Sequence, residues 1–82
     1  MSFTIYSKPG CGFCEKSKDL LKSKNIEYTE LILDVGQVKE DSKTYVTVND
    51  LLIKVPNAKS VPQIFQGDKY IGGYDALRAI VE

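Results

Sequence analysis

The sequence predicts an α/β domain: a four-stranded mixed sheet flanked by helices, in the order β-α-β-α-β-β-α over residues 1–82. Three observations carry this expectation. Short runs rich in strand-forming residues open at Phe3, Ile26, Val61 and Tyr70. Stretches with helical spacing of apolar residues stand between the first three runs and after the last. The connection types then follow: a helix between the first two strands suits a parallel pair, and a tight turn between the last two suits a hairpin.

The first strand is expected around Phe3-Thr4-Ile5-Tyr6, where polarity alternates, and Ser7-Lys8-Pro9-Gly10 is a turn. A helix is expected from Cys11 or Gly12 to Lys24. Cys14, Ser17 and Leu21 share one face of it, Leu20 lies alongside, and Asn25 is a stop signal. Lys16, Lys18, Lys22 and Lys24 are read as its solvated face. Ile26 to Leu33 is the second strand. Residues 34–46 show no clear pattern. Thr47 to Val55 is a second helix: Thr47 can cap it, Asp50 follows three residues later, and Leu51, Leu52 and Val55 are apolar. Val61 to Phe65 is a third strand, Gln66-Gly67-Asp68-Lys69 a hairpin turn, and Tyr70-Ile71 the start of a fourth. Gly72-Gly73 breaks that strand. Tyr74, Leu77, Ile80 and Val81 mark a final helix.

Composition narrows the function classes. At 82 residues the core is thin. Lys plus Arg number 11, as do Asp plus Glu, so bulk charge does not favour a nucleic-acid partner. No apolar run approaches the roughly 18 residues of a membrane helix. The start, Met1-Ser2-Phe3-Thr4-Ile5, lacks the basic and apolar regions of a signal peptide. A cytoplasmic location is therefore expected. In a reducing compartment two cysteines make a poor permanent staple.

Chemistry concentrates at Cys11-Gly12-Phe13-Cys14, between a predicted strand and a predicted helix. Unpaired N–H groups and a partial positive charge at a helix start favour a thiolate there. Lys8 adds a positive charge three residues upstream. Cys11 is accordingly assigned as nucleophile. Cys14, one turn further on, is assigned as the resolving thiol, because i, i+3 positions bring the sulfurs together. A zinc site would need four ligands, and the chain has no histidine and no third cysteine. An inert cysteine pair is disfavoured by the strand–motif–helix setting.

Three segments resemble the glutaredoxin family, dithiol type: Tyr6-Ser7-Lys8-Pro9-Gly10-Cys11-Gly12-Phe13-Cys14, Ser60-Val61-Pro62-Gln63-Ile64-Phe65 and Ile71-Gly72-Gly73-Tyr74-Asp75. The resemblance implies a thioredoxin-like fold and a glutathione groove. It implies a cis bond before Pro62, with the Val61 backbone turned to the active sulfur. It places the γ-glutamyl end of glutathione at Gly73, Tyr74 and Asp75, and the glycyl carboxylate at Lys8, with Gln63 beside it. Ser60 and Phe13 complete the groove, Phe13 standing where tyrosine is usual. Gly12 replaces a frequent proline, and Ala76 replaces a second acidic residue. The longer segment before Ser60 and the short C-terminus resemble phage-encoded members.

The implied function is a glutathione-dependent thiol–disulfide oxidoreductase reducing protein disulfides and protein–glutathione mixed disulfides. Ribonucleotide reductase is one target class in the family, and a monomer is expected. A second expectation is a [2Fe–2S] carrier, with Cys11 of two chains and two glutathiones bridging the cluster. A thioredoxin-like donor fed by a flavin reductase is the third. The absence of tryptophan beside the motif counts against it.

Overall fold

The computed structural model describes residues 2–82. Its elements are β1 (Phe3–Ser7), α1 (Gly12–Ser23), β2 (Tyr28–Leu33), β3 (Thr44–Val46), α2 (Val48–Lys54), β4 (Gln63–Gln66), β5 (Lys69–Gly72) and α3 (Tyr74–Val81). The strands form one sheet in the order β3-β2-β1-β4-β5. β2 runs parallel to both β1 and β3, while β4 runs antiparallel to β1 and β5. The sheet is mixed and flanked by helices, as expected, but it has five strands rather than four. The added strand, β3, spans three residues at an edge, too short to show a period of two.

Alternation along the strands sorts the side chains into two layers. Phe3, Ile5 and Ile64 face one way and pack with Leu21 of α1 and Leu77 of α3. Tyr6, Leu33 and Phe65 face the other way and pack with Leu51 of α2. The sheet is thus covered on both sides, and α1 and α3 lie together on one face.

Local chemistry sets the helix ends. Asn25 takes a left-handed φ of 57° just past the C-cap, Lys24. Its N–H donates to the Lys22 carbonyl at 3.1 Å, and that of Ile26 to the Leu21 carbonyl at 2.9 Å. These two bonds are a Schellman stop, with asparagine in glycine's usual place. At α2 the Thr47 hydroxyl accepts from the Asp50 N–H at 3.1 Å, and the Asp50 carboxylate accepts from the Thr47 N–H at 2.9 Å. That reciprocal box is the one the sequence predicts. Thr47→Ala is expected to cost about 1 kcal/mol, read as a lower urea midpoint with unchanged slope.

Lys18 departs from its sequence assignment. It bonds the Glu30 carboxylate of β2 at 2.8 Å and also pairs with Glu15. The Ser7 hydroxyl, buried, donates to the same Glu30 oxygen at 2.7 Å. One lysine of the expected solvated face therefore ties α1 to the sheet. Burial pushes the Glu30 carboxyl up, but hydrogen bonds from Lys18 and Ser7, with the lysine's charge, outweigh it. The net result holds Glu30 below its ordinary value. Its stabilisation is therefore complete above the unfolded carboxylate value of about 4.3 and is lost as pH falls through the lower folded value. Urea midpoints measured from pH 7 to pH 3 are expected to fall less steeply in Glu30→Gln than in the parent.

Candidate active site

The turn after β1 delivers the chain to the start of α1 with Cys11 as its N-cap. The Cys11 backbone is extended, and its sulfur accepts from the Cys14 N–H at 3.1 Å. The sulfur thus occupies the position where a helix start offers a donor to an anion. Cys11 and Cys14 are joined as a disulfide, with their Cα atoms 5.2 Å apart. They are unequal in setting: Cys14 is 1% exposed, whereas Cys11 is partly exposed. A reagent arriving from solvent meets the Cys11 sulfur first.

Across from α1 stands the loop that leads into β4. The Val61–Pro62 bond is cis. The Val61 carbonyl oxygen lies 3.6 Å from the Cys11 sulfur, although the two residues are 50 apart in sequence. Beside them is an open cleft of about 420 Å³ lined by Phe13, Ser60, Val61, Pro62, Gly73, Tyr74, Asp75 and Ala76. The fold therefore collects in one cleft residues drawn from all three sequence segments.

Lys8 lines a neighbouring cleft with Lys59, Ser60 and Val61, so the Ser60–Val61 backbone is the wall between the two. Gln63 is placed differently from its sequence assignment. Its amide nitrogen donates to the Ser60 carbonyl at 2.8 Å, and its amide oxygen accepts from the Tyr70 hydroxyl at 2.6 Å. Gln63 is buried and supports the loop from behind. The sequence does not single out Lys59 or Tyr70 as site residues. Lys59 carried one signal, a charge directly before the Ser60-Val61-Pro62 segment.

The aromatic wall is a pair. The Phe13 and Tyr74 rings lie 5.9 Å apart, Lys16 stands over Phe13 at 5.2 Å, and Arg78 stands over Tyr74 at 5.8 Å. These contacts tie the start of α1 to the start of α3 across the cleft mouth. At the end of β5, glycine is required at Gly72. Its φ is 126°, and a side chain there would meet the Ala76 Cβ at 3.1 Å. Gly73 is the N-cap of α3 and offers no side-chain cap, so the first N–H groups of that helix are not engaged by one.

The glutaredoxin family model matches residues 3–71.

The chain belongs to the glutaredoxin family.

Among its curated relatives, glutaredoxin 3 of Escherichia coli is 36% identical over 76 residues, covering 93% of this chain and 81% of the relative. A hybrid peroxiredoxin of Haemophilus influenzae, hyPrx5, is 41% identical over 76 residues. That match takes in 93% of this chain and only 27% of the relative's length. Among solved structures, glutaredoxin 1 from Francisella tularensis, complexed with cacodylate, aligns with a TM-score of 0.69 at 25% identity. It covers 95% of this chain and 88% of its own. A buckwheat glutaredoxin–glutathione complex aligns with the same TM-score, 0.69, at 27% identity, covering 94% and 64%. The sheet and helices are those of a thioredoxin-like glutaredoxin. Membership with an intact Cys11–Cys14 pair makes this glutaredoxin a thiol–disulfide oxidoreductase. The family uses glutathione and acts with disulfide-bearing proteins. Among the described residues, no helix is long and apolar enough to cross a membrane.

Proposed function

We propose that this glutaredoxin is a glutathione-dependent reductase of protein disulfides and protein–glutathione mixed disulfides, acting through Cys11 as nucleophile and Cys14 as resolving thiol. The observation that carries the reading is the cleft beside the Cys11 sulfur, walled by Val61 on one side and by Tyr74 and Asp75 on the other. An extended glutathionyl group pairs there with the Val61 backbone as with a strand edge. Its γ-glutamyl carboxylate meets the N–H groups at Gly73, Tyr74 and Asp75. Its ammonium meets the Asp75 carboxylate, and its glycyl carboxylate meets Lys8. Phe13, Ser60 and Pro62 shape the walls, and Gln63 contributes by holding Ser60.

The chemistry balances in two routes. In the first, the Cys11 thiolate attacks the glutathionyl sulfur, the protein thiolate leaves and takes a proton, and Cys11 carries glutathione. A second glutathione thiolate attacks that glutathionyl sulfur, forming oxidised glutathione and restoring the Cys11 thiolate. In the second, Cys11 attacks a protein disulfide, and Cys14 displaces the protein from Cys11. The protein leaves reduced, and the Cys11–Cys14 disulfide remains for two glutathiones to reduce. We take residues 1–82 as one such domain, acting as a monomer in the cytoplasm, with ribonucleotide reductase among the target proteins to test.

Turnover of one peptide carrying either glutathione or free cysteine on its thiol tests the dependence. The glutathionylated form is expected to be strongly preferred, and equal turnover overturns the proposal. Asp75→Asn is expected to raise KM for the glutathionylated peptide about two- to fivefold, the modest effect of an exposed charge, with little change for the cysteinylated one.

A second reading is a [2Fe–2S] cluster bridged between two chains. A Cβ at Gly12 would meet no atom within 4 Å apart from its chain neighbours, so a bulky partner can approach the start of α1 next to Cys11 in sequence. Cys11 would be the one ligand from each chain, and glutathione would supply the other thiolates. Visible absorption of protein prepared without oxygen, with glutathione present, separates this reading from the first.

A further inference from the structure

We propose that Tyr70 and Gln63 form a hydrogen-bonded strut that aims the Val61 N–H into the substrate cleft, and so sets the affinity for substrates that pair with that backbone. The inference rests on the glutathionyl pairing proposed above. It concerns positioning residues, since neither side chain is placed to touch the reacting sulfurs.

The strut begins on β5. Tyr70 pairs across the strands with Phe65, and their rings meet edge to face at 5.4 Å. Phe65 in turn meets the Tyr6 ring at 6.0 Å. This row of rings holds the Tyr70 side chain in place although it is 48% exposed. A tyrosine is long enough to reach the diagonal neighbour on the adjacent strand. Here it reaches Gln63, and its hydroxyl donates to the amide oxygen at 2.6 Å. With that oxygen occupied, the amide is oriented and its nitrogen donates to the Ser60 carbonyl at 2.8 Å.

The Ser60 carbonyl matters because of peptide planarity. The only cis bond among the described residues is Val61–Pro62, so the Ser60–Val61 peptide is trans. In a trans peptide the C=O and the next N–H lie in one plane and point in opposite directions. Pulling the Ser60 oxygen toward Gln63 therefore turns the Val61 N–H away from Gln63. That N–H has no acceptor among the described residues. The next carbonyl, that of Val61, lies against the Cys11 sulfur at 3.6 Å. The strut thus fixes an unpaired donor beside the nucleophile before any substrate arrives. Without it, the binding step must also order this peptide plane.

The variants are Tyr70→Phe and Gln63→Met. Each is expected to raise KM for a glutathionylated peptide about three- to tenfold, the scale of one lost hydrogen bond, with kcat nearly unchanged. Direct reaction of reduced protein with bis(2-hydroxyethyl) disulfide, which has no peptide backbone, is expected to stay within about twofold of the parent. The double variant is expected to be no worse than Gln63→Met alone, because both act along one chain of bonds. The amide order parameter of Val61 is expected to drop from about 0.85 toward about 0.6 in both single variants.

An unchanged Val61 order parameter overturns the strut. So does an equal loss on both disulfides, which marks general destabilisation. If the parent ignores the glutathionylated peptide yet reacts with bis(2-hydroxyethyl) disulfide, the glutathione reading falls. The order parameter then decides the strut alone.

Discussion

Cys11→Ser is expected to reduce turnover of every disulfide substrate to the uncatalysed level, while Cys14→Ser keeps most of the activity on a glutathionylated peptide. The asymmetry follows from position. The Cys11 sulfur caps α1, accepts an N–H bond and lies against Val61 of the cleft wall in a partly exposed residue, whereas Cys14 is 1% exposed. Only a thiolate is a competent attacking group, and a serine hydroxyl in the same place remains protonated near neutral pH. Both routes begin at Cys11, so both stop. Cys14 enters only when Cys11 holds a protein rather than glutathione. Cys14→Ser should therefore lose the reduction of intramolecular protein disulfides selectively, since glutathione must then resolve a bulky mixed disulfide. Assaying both variants on a glutathionylated peptide and on a disulfide-bonded protein checks this. Residual activity in Cys11→Ser, or loss of both activities in Cys14→Ser, contradicts the assignment.

The second large effect concerns the platform. Leu21 is fully buried and joins α1 to the core cluster of Phe3, Ile5, Ile64 and Leu77. It also accepts, through its carbonyl, the Ile26 bond that closes the helix. Truncating it leaves a cavity in a core with few members. Leu21→Ala is expected to cost about 2–5 kcal/mol. For a domain this small that corresponds to a Tm lower by roughly 10–30 °C, against a total stability of about 4–12 kcal/mol. Ile53→Ala is the control. Ile53 is apolar but 76% exposed on α2, and its loss should stay within about 0.5 kcal/mol. Urea denaturation of the two variants separates burial from mere hydrophobicity; similar midpoints would contradict the core assignment.

The elements legible in the sequence were those with local causes. The span of α3 is the one its apolar spacing predicts, and the Thr47–Asp50 box closes as its three-residue spacing requires. The stop at Asn25 and the hairpin at Gly67 likewise depend on what one residue's backbone can adopt. β3 is not legible in the sequence because three edge residues carry no period, and its pairing with β2 depends on residues 34–43 folding back. The role of Lys18 is not legible in the helical pattern because its partner, Glu30, belongs to another element. No helical pattern distinguishes a lysine meeting water from one meeting a strand.

The site divides along the same line. The sequence by itself determined the chemistry available: two cysteines at a helix start, a preceding lysine, and a glycine-led helix start carrying an aspartate. These are local features whose meaning survives without knowledge of the rest of the chain. Only the tertiary structure decided what each residue faces. It set Val61 against Cys11, buried Cys14, moved Gln63 from the cleft to the back of the loop, and brought in Tyr70 and Lys59. The physical reason is that side-chain type fixes what bonds a residue can make, whereas sheet register and strand order fix which partners come within reach.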